Sequence, residues 1–208
     1  LAALGSAQVA ALDTAQIQAL AVGSLAGFGA VQLGALKTAQ IAALGSAQLQ
    51  ALSTAQIAAF SAAQMKGFSG TQLSQLSVDQ VAAFGAAQVA ALSSAQLTAL
   101  SADQVRQLSA SQAGAIEAAD LKMLQTAQVA VLDATQLAAL GTAQVAALTT
   151  AQVAALATGA LSGLSTAQLQ ALSRPQVAAL TTAQMQALQT GQLASLSTST
   201  VAALSTTQ

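Results

Sequence analysis

Glu117 and Asp120 stand three residues apart, with Lys122 just beyond, the one place where two carboxylates and an ammonium fall within about a helical turn. Paired carboxylates held close could act as general acid and base. The rest of the chemical inventory is thin. The 208 residues include no His, Cys, Tyr or Trp. Ser and Thr are abundant, but no His or cluster of Lys is present to activate one as a nucleophile. The six acids are too scattered to form a metal-ligand set. Met65, Met123 and Met185 are the only side chains that could serve as axial haem ligands. Methionine more commonly fills gaps in a core. The expectation is therefore no catalytic, cofactor-binding or metal-binding residue, with Glu117, Asp120 and Lys122 acting as helix-end charges.

Charged residues make up 5% of the chain and the net charge is −1. So weak a field cannot steer nucleic acid or an anionic lipid surface, and near-zero net charge favours association. A membrane-spanning helix needs about 20 mostly apolar residues. Here Gln or a Ser/Thr pair interrupts every eight, so no transmembrane segment is expected. The chain opens at Leu1 without a basic leader, which reads as a processed chain or a segment of a longer array.

The elements that position these residues follow a period of eight. With Leu4 as position a, 25 octads run to Ala203 without a slip in frame. Position a is Leu, Phe or Ile throughout, and position f is Val, Leu, Ile or Met in all but one octad, where Ala113 stands. Position e is Gln except at Ser24, Asp120, Ala160 and Thr200. A single long helix would drift by roughly 80° per octad and wind the apolar stripe out of reach of any partner. A β-solenoid is the alternative, but positions g and h are mostly Ala, which strands disfavour.

Position b is usually Ser, Thr, Asp or Gly, with Gln three residues later, as in Ser53-x-x-Gln56 and Ser93-x-x-Gln96. This is the capping box. Each octad therefore carries its own helix start. Where b is Lys37, Gln125, Ala157 or Gln189, a Thr follows at c, and the cap is expected to slide onto it. Octads at Ala21 and Glu117 have neither residue, so their starts should be looser. Pro175 falls at d, inside a first turn where proline is tolerated. Acids lie at b, d or e, and Lys66, Arg106 and Lys122 at g, as the helix dipole favours. The pattern predicts an all-α solenoid over 1–208 of 26 very short helices, one per octad. Each runs d through a, with a bend at b–c, and carries an N-terminal capping box. Residues f and a share a face and form the apolar spine; d and h form an Ala face opposite, turned to solvent or to a neighbouring chain.

Three further features bear on function. The Gln-free octads 20–27 and 156–163 are rich in Gly, which permits a kink or a close backbone approach. Thr recurs at c in the second half (Thr142, Thr150, Thr158, Thr166, Thr182, Thr190, Thr198), capping or forming an ordered hydroxyl ladder. Leu1 is an f position and Gln208 an e position, so the end of one copy leads in register into the start of another. Replacing Gln144 with Ala should cost about 1 kcal/mol if Gln only closes a capping box. A far larger loss would place it in a buried ladder between turns.

The octads of "LGTAQVAALTTAQVAAL" (140–156) resemble repeat tracts of very large secreted or surface proteins of Gram-negative bacteria, labelled as exoproteins of haem utilisation or adhesion. The resemblance spans the chain and implies an elongated protein outside the cell or at its surface; no residue here supports the haem label. The leading expectation is a structural protein that forms or contributes to an extracellular filament, sheath or surface layer, with copies of itself as partners, end to end or side by side. The alternatives are a passive stalk of a giant adhesin and an ice- or ligand-binding module that uses the Thr ladder.

Overall fold

A computed structural model describes residues 4–202, 204 and 205, with Ser199 by its backbone alone; Leu1, Ala203 and Gln208, which entered the octad frame, lie outside the described residues. Each of the 25 full octads forms one short helix: 24 are α-helical and the one at Thr158–Gly163 is 3₁₀. No strand occurs among the described residues, so the helical reading holds over the β-solenoid. No described helix is long and apolar enough to cross a membrane.

The helices occupy a different part of the octad from the one expected. They begin at c and most end at g or h, as in Thr54–Ala58 and Thr142–Ala147, while Ala62–Met65, Ala118–Leu121 and Thr198–Val201 end at f. Position b is the extended N-cap, with Ser53 at φ −68° and ψ 161°. Position a closes the chain with a tighter bond, its N–H donating three residues back to the carbonyl of f, as from Leu44 to Ile41 at 3.0 Å. Hydrogen-bond competition reinforces this end in most octads. An α-helix would continue if the carbonyl at f accepted from the N–H four residues on, at b. That N–H instead donates to the side chain of its own octad's Gln, as Asp13 does to Gln16 Oε1 at 2.9 Å. Gln thus supports its own helix start and takes the donor that would extend the helix before. Where e is not Gln, the preceding helices Thr14–Ala19, Ala110–Gly114, Thr150–Ala155 and Thr190–Ala194 still end there, because b is extended in those octads too.

The cap does not slide where b lacks a suitable side chain. Lys37, Gln125, Ala157 and Gln189 remain N-caps in extended conformation, and the following Thr is the first helical residue. Only the Gln half of the box is needed to hold Lys37 in place, through Lys37 N–H to Gln40 Oε1 at 2.7 Å. The full box is therefore not universal. Ala21 and Glu117 make no side-chain cap, as their sequence predicted. Pro175 sits in the first turn of Arg174–Ala178.

The chain forms two compact units, residues 1–107 and 108–208, built by the same rule. Within each, a helix packs on the helix three places further along, 24 residues on, so three helices make one turn. In the first unit Ser6–Ala11 packs on Ala30–Gly34, and Thr14–Ala19 on Thr38–Ala42. In the second, Ala110–Gly114 packs on Ala134–Ala139, which packs on Thr158–Gly163, which packs on Thr182–Ala187. The spine is made of f and a, which are buried in the interior turns of both units; Phe60 and Phe68, at consecutive a positions, meet edge to face at 5.3 Å.

Positions d and h do not form one face. Every described d residue is exposed, whereas most h residues are partly buried. Position h faces position c of the preceding turn. A Cβ on Gly67 (h) would lie 2.7 Å from the Thr38 (c) carbonyl oxygen, and one on Gly163 (h) 1.9 Å from that of Ala134 (c). Small residues at c and h set how closely turns approach, a close-packing constraint.

Candidate functional site, a glutamine ladder

The side chain repeated at e has one acceptor oxygen and two N–H donors, and the fold uses all three. In Gln104, Oε1 accepts from Ser101 N–H at 2.8 Å, while Nε2 donates to the carbonyls of Leu73 at 2.9 Å and Leu76 at 2.8 Å. Ser101 Oγ completes the capping box by accepting from Gln104 N–H at 3.1 Å. The acceptors stand 31 and 28 residues back, at f and a of earlier octads, and the offsets recur through both units. Gln80 reaches Leu49 and Leu52; Gln168 reaches Leu137 and Leu140; Gln192 reaches Leu161 and Leu164. The ends of short helices leave N–H and C=O groups without intrahelical partners. One Gln satisfies an N–H at the start of its own helix and two carbonyls at the end of a helix in the turn before.

Burial makes these bonds matter. Gln104 is 2% exposed, and most ladder glutamines are similarly buried. No buried side-chain nitrogen or oxygen among the described residues lacks a partner. Glu could keep the cap acceptor but would face two carbonyl oxygens without a donor. Asn is one methylene shorter, and the chain contains none. The expected cost of about 1 kcal/mol for Gln144→Ala rested on the capping box alone. Gln144 also donates to the carbonyl of Gly114 at 3.0 Å and to that of Ile116. Its loss would leave two carbonyls and an N–H unpaired, at about 1–3 kcal/mol each where buried.

The sequence did hold a signal for this second role. Gln persists at e where b is Gly5, Gly29, Gly45, Gly85 or Gly141, which have no side chain with which to complete a capping box.

At Ala160, which has no amide, the octad folds as the 3₁₀ helix and Gly163 lets its backbone approach Ala134. The close approach expected of this Gly-bearing octad thus occurs there. In the other, 20–27, no atom comes near the Cβ position of Gly23. A groove of about 510 Å³ runs beside that octad, lined by Gln18, Leu20, Val22 and the segment around Leu44 and Gln48. Its lining holds no ionisable side chain, and Gln48 is already bound to the carbonyls of Ile17 and Leu20.

The ionisable groups lie at helix ends. Asp13 and Asp133 are N-caps whose carboxylates accept from Gln16 and Gln136 N–H. Glu117 is the N-cap of Ala118–Leu121, Asp120 lies in its first turn, and Lys122 is its C-cap. Arg106 pairs with Asp103 on the exposed surface, where such a pair contributes little. Met65 and Met185 are buried in the spine, and Met123 is exposed. The seven Thr at c are all exposed, but three helices per turn split them among three sides. Thr142, Thr166 and Thr190 share one side and form its longest row.

The ALTTAQ repeat family matches the chain in tandem at residues 25–62, 79–110, 113–150, 145–182 and 153–190, together well over half its length. The six letters stand intact at 147–152 and 179–184. In structural terms they are h through e: packing Ala, core Leu, Thr cap, first helical Thr, exposed Ala and ladder Gln. A search of curated proteins returned no match.

Proposed function

This chain belongs to the ALTTAQ repeat family, and from that premise we propose a structural rather than catalytic role: a repeat solenoid that contributes, by association with copies of itself, to an extracellular filament, sheath or surface layer. The observation that carries the reading is the ladder. The recurring polar side chain of the repeat is committed in full: its oxygen holds the start of its own helix, and its two N–H donors join that turn to the one before. What remains outside is a low-charge surface of Ala, Ser and Thr, which offers little repulsion between copies. The placement outside the cell draws on the resemblance to secreted and surface repeat proteins.

A passive stalk is the second reading. It is favoured by the nearest-neighbour construction, in which each added octad extends the stack by the same contacts. Negative-stain microscopy of the purified 208-residue chain separates the two. Filaments or ordered sheets are the expected outcome. Uniform, separate particles at the highest soluble concentration would contradict self-assembly and leave the stalk.

A further inference from the structure

The ladder misses a rung inside the second unit. Its offsets of 31 and 28 residues lead from Ala160 back to the carbonyls of Val129 and Leu132, and Ala160 has no amide to donate. The rungs on either side are made: Gln152 reaches Leu121 and Leu124, and Gln168 reaches Leu137 and Leu140. The Val129 carbonyl accepts from Leu132 N–H at 3.2 Å, but no donor among the described residues reaches the carbonyl of Leu132. Ala157 N–H stands where the bond to a Gln oxygen would form, and no acceptor among the described residues receives it. Leu132 is 2% exposed, so its carbonyl is shut off from bulk solvent. A buried main-chain carbonyl without a donor is rare and costly. The close approach of Gly163 to Ala134 joins h to c and brings no donor to it.

We infer that an ordered water molecule is bound in the second unit in place of the missing amide. Its oxygen accepts from Ala157 N–H, and its two protons go to the Leu132 and Val129 carbonyls. The argument is one of matching groups. A Gln amide at e accepts once and donates twice, as Gln104 does, and a water molecule can do the same. Buried waters typically make about three hydrogen bonds to polar groups that otherwise lack partners, and these three groups are the ones a Gln at 160 would serve. A carbonyl oxygen has two lone pairs, so Val129 can accept from water while keeping its bond to Leu132 N–H. Ala160 is itself 4% exposed. Ala in the place of Gln frees the volume of a carboxamide and a methylene, enough for one water, at a buried position.

Crystal structures of the whole chain and of its Ala160→Gln variant test the site. Nuclear Overhauser contacts between amide and water protons in solution give a second measurement. The unaltered chain should show a water molecule bonded to the Leu132 carbonyl and to Ala157 N–H, and the Ala157 amide should show a contact to water that outlasts surface hydration. In Ala160→Gln the new amide should take over both carbonyls, and that contact should be lost. A dry Leu132 carbonyl, with no long-lived water contact at Ala157, would overturn the site. A variant whose new side chain turns to solvent while the water stays would overturn the water's role as the stand-in for the amide. Should the variant fail to fold, the unaltered chain alone decides, through the presence or absence of the bound water at Leu132.

Discussion

A glutamine amide buried between two turns must find a partner for each of its three hydrogen-bonding groups, or the turn that holds it loses more than the amide contributes. Gln104 illustrates the balance, with one N–H received and two carbonyls served at 2.8–2.9 Å. Replacing it with Ala should destabilise its unit by about 2–5 kcal/mol, against about 1 kcal/mol for Ser101→Ala, which removes only a cap. Urea unfolding of the two variants measures the difference, and equal costs would reduce Gln to a capping residue. Gln104→Glu adds a pH dependence. A carboxylate facing two carbonyl oxygens has its folded-state pKa raised above the ordinary value of about 4.3. The variant's deficit should be smallest below about pH 4.3 and grow as pH rises through the raised folded-state pKa. A deficit independent of pH would mean that the Glu side chain leaves the ladder for solvent.

An octad makes an element only because its neighbours complete it. Five residues of helix cannot offset the cost of nucleation, so stability comes from the spine, from the ladder, and from the close approach of c and h. That approach is where glycine matters. Gly163→Ala would drive a methyl into the Ala134 carbonyl and should cost about 1–3 kcal/mol. Gly191, in the helix Thr190–Ala194, has nothing within 4 Å of its Cβ position; Gly191→Ala should stabilise by about 0.5–1 kcal/mol. Thermal unfolding of the pair checks the sign of each effect.

Much of the element was legible in the sequence. Two apolar positions in eight name the spine, and Ser or Asp followed by Gln names the helix start. The helix end was misplaced because b is extended whether or not Gln follows at e, as at Ala21 and Ala157, so the bond that would carry the helix on from f to b is not made. The ladder was hidden because its acceptors are main-chain carbonyls, which any residue supplies, 28 and 31 residues away. The number of helices per turn was equally hidden, since an eight-residue frame closes a solenoid of any turn size.

At the scale of the molecule, stability within each unit is a sum over neighbouring turns, which makes the octad the unit of insertion and loss. Removing one whole octad, residues 76–83, leaves every remaining Gln with f and a carbonyls in register, because each octad presents the same groups. Removing residues 76–79 alone puts half an octad out of frame and should disrupt the turns on both sides. Circular dichroism melts should show a cooperative transition for the first deletion and a broad, weakened one for the second. Similar broad melts for both would mean that octads are not interchangeable.

The central claim is that the Gln side chain joins successive turns, and exchange of its amide protons measures that directly. In a chain labelled with ¹⁵N, the Nε2 protons of Gln104 and Gln168 should exchange with solvent far more slowly than those of the exposed Gln18 and approach the rates of backbone amides in the same helices. Exchange of ladder and exposed glutamines at one common rate would contradict the ladder.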